Sequence, residues 1–377
     1  IVAPFFKRGR GMKRIAIIGA GASGLLLAKL LADRTDMQTC LFEQSSKVGF
    51  KVRASGGGRA NLFNQNVTPE CYNHPDFIRS LLNKVGPEKL WRTFEAMGLL
   101  LAADEEGRVY PVTQFSQTVV DVLWSPDAPN LHTELEYEVR KISRQGSQWH
   151  INDYPVPFDA VVLATGSSAS LPQARQERHN AFLTDFNLKT CPLEPSLVGF
   201  KLARYPRRLS GCRVKVEAAL YHNNELIHKE KGEVTFKDDG ISGIVILNLS
   251  AYYNRLADKR NCEIELNLLP DCEVDIEQYK RDFGSLKGIL HPKLNAWYEQ
   301  HPFDVKKMKW TILEPYGLEF AQVCHGGIDL SEVDEHFALK RFPGLCAAGE
   351  MIDVDGLCGG YNLFFAFASA IVIAQSL

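Results

Sequence analysis

Charge of one sign is not in excess in this 377-residue chain: 43 Lys and Arg face 45 Asp and Glu, a formal net charge of −2 at pH 7. No bulk basic field exists to hold nucleic acid or an anionic lipid surface, so neither is expected as a partner. Cysteine supplies no framework. The nine cysteines (40, 71, 191, 212, 262, 272, 324, 346, 358) are odd in number, scattered, and without a Cys-x-x-Cys pair. A disulfide scaffold and a zinc ribbon are thereby excluded, and a reducing cytoplasm is the simplest home. No metal is expected, because the ten histidines lack metal-ligand spacing, and no nucleophile-elbow, Walker or zinc-hydrolase pattern occurs. Long apolar runs are missing too. The uncharged end Gly356–Leu377 has its continuous apolar part in Leu363–Ala374, interrupted by Ser369, shorter than the roughly 18–20 residues that cross a bilayer. It reads as a buried helix.

What is present is an ordinary folded composition, 45% hydrophobic and 23% charged, at a length for two or three domains. Residues 1–11 (IVAPFFKRGRG) are basic and precede Met12, where a strand begins at once. They read as a leader or upstream remnant and are set aside. Lys13–Ile18 is an apolar, β-branched run that ends in Gly19-Ala-Gly21-Ala22-Ser23-Gly24. A helical segment (Leu25–Ala32) follows, then a short strand (Thr39–Phe42) closed by Glu43. Strand, glycine turn, helix, strand and terminal acid form the opening βαβ unit of a dinucleotide-binding fold. The glycines allow the tight turn and backbone approach to a pyrophosphate, and the helix N-terminus offers N–H groups and a positive dipole end. Glu43 lies nineteen positions after Gly24, where a carboxylate accepts bonds from ribose hydroxyls and repels a 2′-phosphate. NAD and FAD remain.

Ser55, Gly56, Gly57, Gly58, Arg59 and Asn61 form a second turn rich in backbone donors, where bare main chain can pass against a flat ring or phosphate. Asp76–Met97 has helical spacing, and Leu99–Val112 reads as turn plus strands. Thr133–Ile142 and Gln148–Ile151 have hairpin character around Gln145-Gly146-Ser147. Asp159–Ala164 is an apolar strand running into Ala164-Thr165-Gly166. From about Cys191 to Cys324 short β-like runs follow one another, among them Val214–Tyr221, Gly232–Phe236 and Ile244–Leu249. A helix-prone stretch (Ile276–Gln300) and a strand (Val305–Ile312) come next. The dinucleotide pattern then returns with Gly349-Glu350, Asp353 and Gly359-Gly360-Tyr361-Asn362, which opens the C-terminal helix. A simple NAD dehydrogenase needs no glycine cluster there. A flavin is long and must be held at adenine, pyrophosphate, ribityl chain and ring, so the separate clusters favour FAD.

The strings SGGGRAN (55–61), Gly326-Gly327-Ile328 with Glu332-Val333, and GE-x-x-D-x-x-G-x-x-GGYN (349–362) resemble the signature of the BaiN/YhiN-type bacterial flavoproteins, which include aminoacetone oxidase. The family usually has Cys where Ala60 stands. The resemblance runs over most of Met12–Leu377. It implies FAD, an α/β fold with a Rossmann-like parallel sheet, and inserted β-barrel-like and small helical domains. The expected organisation is 12–190 and 326–377 for the FAD-binding domain, 191–249 with 304–325 for the barrel, and 250–303 for the helical insert. The implied activity is an oxidoreductase moving a hydride between flavin N5 and a small organic substrate, either amine oxidation with O2 or enone reduction with NAD(P)H as transient donor. An RNA-modifying flavoenzyme and a non-catalytic flavin-binding protein are the alternatives. Gly360 is expected to bring bare backbone to the ring. His325 and Tyr361 are the candidate proton-transfer groups; a lone histidine is more often a packed or capping residue, and the Tyr361 ring can equally well simply pack.

Overall fold

The computed structural model describes residues 12–176 and 179–377; the expected leader, residues 1–11, lies outside them. The described residues form two compact units, one holding those of 12–168, 173–193 and 326–377, the other 169–172 and 194–325.

The first unit is built on a five-stranded sheet ordered Leu345–Ala347, Ala160–Leu163, Lys13–Ile18, Met37–Phe42 and Leu131–Glu134. Every pairing is parallel. Parallel strands need both faces covered, and the burial agrees: Met37–Phe42 and Ala160–Leu163 are buried at every position. Helix Ala22–Leu31 buries Leu25, Leu26, Leu27 and Leu31, and the C-terminal helix Tyr361–Ser376 buries Phe364 through Ile373 in the same core. No helix among the described residues is long and apolar enough to cross a membrane. The hairpin expected from Thr133 onward is smaller than the pattern implied. Ile142–Gln145 pairs with Gln148–Ile151, while Thr133 and Glu134 belong to the edge strand of the parallel sheet. Alternation near a turn does not distinguish a hairpin arm from an edge strand recruited by a distant partner.

The second unit is a closed antiparallel barrel of six strands: Phe200–Leu202, Gly240–Ser242, Glu225–Phe236, Arg213–His222, Cys262–Asn267 and Met308–Pro315, which returns to the first. Cys262–Asn267 alternates between buried and half-buried positions, the period of two that a barrel wall requires. Helices Ile276–Phe283 and Pro292–Gln300 lie between the last two barrel strands in the chain, and Leu286, Leu290, Leu294 and Tyr298 bury in the barrel's own core. One expectation is overturned. Ile244–Leu249 is not a strand but the start of helix Ile244–Asn254. A short apolar run carries both readings. Gly243, at φ 111°, breaks the preceding strand, and the helix buries Val245, Ile246, Leu249 and Tyr253 in the barrel core. Its polar positions are satisfied: Asn248 donates to Glu230 at 2.9 Å, Ser250 Oγ accepts from Val198 N at 3.0 Å, and Asn254 donates to Pro195 O at 2.9 Å.

Candidate functional site

In the parallel sheet the chain leaves Lys13–Ile18 toward Met37–Phe42 on one side, while Ala160–Leu163 lies on the other. That reversal opens a crevice at the strands' carboxyl ends, where open α/β sheets bind ligands. The loops after three strands meet there: Ala164 N donates to Ile18 O and Ala348 N to Leu163 O, each at 2.8 Å.

The three glycines of the first turn do different things. A Cβ on Gly24 would stand 1.9 Å from Gly19 O, and one on Gly19, at φ 103°, 2.5 Å from Ala164 O. Both are glycines because the turn and the strand–helix packing leave no room. Among the described residues a Cβ on Gly21 would meet nothing nearer than Ala164 O at 4.0 Å. That space over Gly21 leaves room for a ligand to approach the backbone. Gly21 is also the N-cap of helix Ala22–Leu31 with no side-chain cap and no acid in the first turn. Leu25 N to Gly21 O, 2.9 Å, is the first intrahelical bond, so the amides of Ala22, Ser23 and Gly24 form the positive end facing that space. Glu43 closes the next strand. Its Oε2 accepts from Ala20 N at 3.0 Å and its Oε1 from Ser45 N at 2.9 Å. Each oxygen keeps a free lone pair, so the carboxylate is oriented yet still able to accept hydroxyls.

Beyond this turn, Gly166, at φ 69°, has its carbonyl bonded by Asn180 Nδ2 at 2.9 Å and His179 Nε2 at 3.2 Å. Thr165 Oγ1 bonds to Asn180 Oδ1 and to Met351 Sδ. Burial holds the His179 imidazole below its ordinary range; the Gly166 carbonyl and Glu350 oppose this and Lys51 adds to it. Gly349 N donates to the buried Ser369 Oγ at 3.0 Å, and a Cβ on Gly349 would stand 3.2 Å from Ser23 Oγ. Glu350 Oε2 accepts from Lys51 Nζ at 3.1 Å. Asp353, 6% exposed, is bound on three sides: Asn73 Nδ2 at 3.2 Å, Gly326 N at 3.1 Å and His74 Nε2 at 3.3 Å.

The second glycine loop meets the start of the C-terminal helix. Gly56, Gly57, Gly58 and Ala60 all have positive φ, and among the described residues nothing lies within 4 Å of a Cβ on Gly57 or Gly58. Ser55 Oγ donates to Val52 O at 2.7 Å, and the Arg59 guanidinium stands over the Tyr110 ring. Asn61 Oδ1 is buried with no hydrogen-bond partner among the described residues. Asn362 spends its amide on its own loop, accepting from Gly356 N and donating to Gly356 O, both at 2.9 Å. Gly360 is a glycine for packing as well. A Cβ there would stand 2.7 Å from Asn61 Oδ1 and from Phe63 C, so its missing side chain makes room for the neighbouring strand. Tyr72 Oη donates to Tyr361 O at 2.8 Å.

The structure thus brings Gly19–Gly24, Glu43, Ala164–Gly166 and Gly349-Glu350 to one crevice, and Asn61 to Gly360. Tyr361 and Asp353 share that unit, whereas His325 is the last residue of the other. Lys51, Ser167, His179 and Asn180 also belong to the crevice loops and were not among the expected residues. For Lys51 a signal existed: between Glu43 and Glu70 the chain carries four cations (Lys47, Lys51, Arg53, Arg59) and no acid.

The crevice fits a dinucleotide on the open cradle at Gly21, the uncapped helix end and the oriented Glu43. Comparison with known proteins agrees with the fold. The model of the HI0933-like protein Rossmann domain matches residues 13–376. The chain is similar to a 3-dehydro-bile acid delta(4,6)-reductase of Clostridium scindens, 28% identical with 97% of this chain and 99% of that protein covered. It is also similar to the ribosomal RNA dihydrouridine synthases of Escherichia coli (26% identical, 96% and 97% covered) and Haemophilus influenzae (25%, 96% and 97%).

Proposed function

The chain belongs to the HI0933-like Rossmann family, and from that premise we propose an FAD-dependent oxidoreductase that reduces a carbon–carbon double bond conjugated to a carbonyl in a small organic substrate. The observation that carries the reading is the strand-end crevice with Gly21 open beneath an uncapped helix and Glu43 fixed beside it. The loop at 55–61 against the turn at 359–362 supports a cofactor longer than NAD. When bound, FAD supplies hydride acceptance and donation at its N5. Glu43 would accept the adenosine ribose hydroxyls, and the amides of Ala22–Gly24 the diphosphate. At the C-terminal helix the amides of Tyr361, Asn362 and Leu363 precede the first intrahelical bond, Phe364 N to Gly360 O. They offer a positive end to negative charge gathering on the flavin's pyrimidine side.

The names of the relatives support reduction over amine oxidation. A delta(4,6)-reductase and a dihydrouridine synthase both saturate carbon–carbon double bonds, and the one reduced in uracil is conjugated to a carbonyl. In the balanced reaction a hydride reaches the β-carbon, a proton the α-carbon, and NAD(P)H is the external electron donor. Tyr361 and His325 are the proton-transfer candidates, and Tyr361→Phe against His325→Asn separates them. The nine free cysteines suit a reducing, cytoplasmic setting.

A second reading places that double bond in a uracil of RNA. Two relatives carry that name, and Lys201–Lys215 holds six cations with no acid, five of them exposed. The test is anaerobic. The yellow protein is reduced with NADH or NADPH and mixed in turn with a cyclic enone and a ribosomal RNA fragment, following flavin reoxidation and product mass, while the oxidised protein is mixed with a primary amine, following bleaching of the flavin. The enone is expected to reoxidise the flavin. Turnover of RNA alone selects the second reading, and a protein that neither holds FAD nor passes electrons to the enone or the RNA overturns both.

A further inference from the structure

We infer that Lys51 is a binding residue for the dinucleotide's diphosphate, with Glu350 as the carboxylate that positions its ammonium over the crevice. The inference rests on the FAD reading above and adds a residue to it. Lys51 sits in helix Phe50–Ala54, and the residue before that helix, Gly49, donates its N–H to Ala20 O at 2.7 Å. The helix is therefore pinned to the glycine turn itself. Lys51 Nζ donates to Glu350 Oε2 and to Ser167 O, both at 3.1 Å, so the cation bridges the loops that follow strands Ala160–Leu163 and Leu345–Ala347. The preceding residue, Gly349, stands against Ser23 in the first turn of helix Ala22–Leu31, which sets the ion pair beside that helix's positive end.

Two further facts point the cation at an anionic ligand. Glu350 stands among the crevice loops, its Oε2 3.7 Å from where a Cβ on Gly166 would lie, and a carboxylate there would repel a diphosphate unless a cation stood beside it. Neighbouring cations are otherwise engaged or remote: Arg53 bonds Val48 O and Gln117, Arg59 lies over Tyr110, and Lys47 is exposed. The side chains of Lys51 and Glu350 are 34% and 20% exposed, so their field is screened less than that of a surface pair.

The test titrates the full chain, freed of cofactor, with FAD, ADP and adenosine for the unaltered protein, Lys51→Met, Lys51→Arg, Glu350→Gln and the double variant Lys51→Met/Glu350→Gln. Lys51→Met is expected to weaken FAD and ADP about ten- to a hundredfold, the range for a charge-assisted hydrogen bond, and to leave adenosine within about twofold. Lys51→Arg should keep most of the affinity, and the salt dependence of ADP binding should flatten in Lys51→Met. Equal ADP affinity in Lys51→Met overturns the inference. So does full recovery of ADP binding in the double variant, which would make Lys51 only a neutraliser of Glu350. If Lys51→Met does not fold, the ADP-to-adenosine ratio of Lys51→Arg and its salt slope decide, since a cation on the diphosphate requires both to stay near those of the unaltered chain. Failure of the unaltered chain to bind FAD overturns the FAD reading as well, whereas FAD binding indifferent to Lys51 overturns the inference alone.

Discussion

Replacing Gly21 with Ala separates binding from folding at the first glycine turn. Among the described residues the added methyl meets no atom nearer than Ala164 O at 4.0 Å, and Gly21 has φ −81° and ψ −161°, a backbone any residue adopts. Losing a glycine from the unfolded chain stabilises by about 0.4–1 kcal/mol. Ala is a poorer N-cap than Gly by roughly 0.5 kcal/mol. The two nearly cancel, and at this chain length the apo melting temperature should move by less than about 2 °C. The same methyl fills the cradle in which the diphosphate would approach bare backbone. Overpacking costs about 1–3 kcal/mol, which corresponds to roughly five- to a hundred-and-fiftyfold weaker FAD. Gly24→Ala is the contrasting case: its methyl would lie 1.9 Å from Gly19 O, so it should lower the apo melting temperature before any ligand is added. Thermal denaturation of the cofactor-free protein and FAD titration by flavin fluorescence measure both quantities. Unaltered FAD affinity in Gly21→Ala, with the apo protein folded, would refute the placement of a dinucleotide in this crevice.

Glu43→Ala should weaken FAD about ten- to a hundredfold, since charge-assisted hydrogen bonds are worth roughly 1.5–3 kcal/mol; unchanged affinity by calorimetry would put the adenosine ribose elsewhere. Ser369→Ala leaves the buried Gly349 N–H without its acceptor and should cost about 1–3 kcal/mol in denaturant unfolding, with no loss meaning that water replaces the hydroxyl. Burial keeps the His179 imidazole neutral below its ordinary value of 6.5, so the unfolded chain takes up a proton that the folded chain resists. Stability from this group is full above pH 6.5 and is lost as pH falls through that value, with a slope of at most about 1.4 kcal/mol per pH unit. Melting temperatures between pH 6.5 and 5.5 should accordingly fall less steeply in His179→Asn than in the unaltered chain, and parallel slopes would contradict the assignment.

The opening βαβ unit was legible from residues alone because each part is a local demand. A left-handed backbone at Gly19 and a 1.9 Å approach at Gly24 admit no Cβ, and the apolar runs on either side have the period and length of strand and helix. The buried character of the C-terminal helix followed from its lack of charge. Tertiary structure decided what local pattern leaves degenerate. Ile244–Asn254 is helical because the barrel core accepts that apolar face and Glu230, Val198 and Pro195 satisfy its polar positions. Leu131–Glu134 is a parallel edge strand because Met37–Phe42 offers it a ladder. At Gly360 the space a Cβ would need is taken by Asn61 and Phe63, nearly 300 positions away in the chain, a contact no motif encodes. The pairing of Lys51 with Glu350 joins residues 299 positions apart. Local sterics act between neighbours in sequence and are written there, whereas the partner of a buried charge or a helix face is set by which distant segments the sheet order brings together.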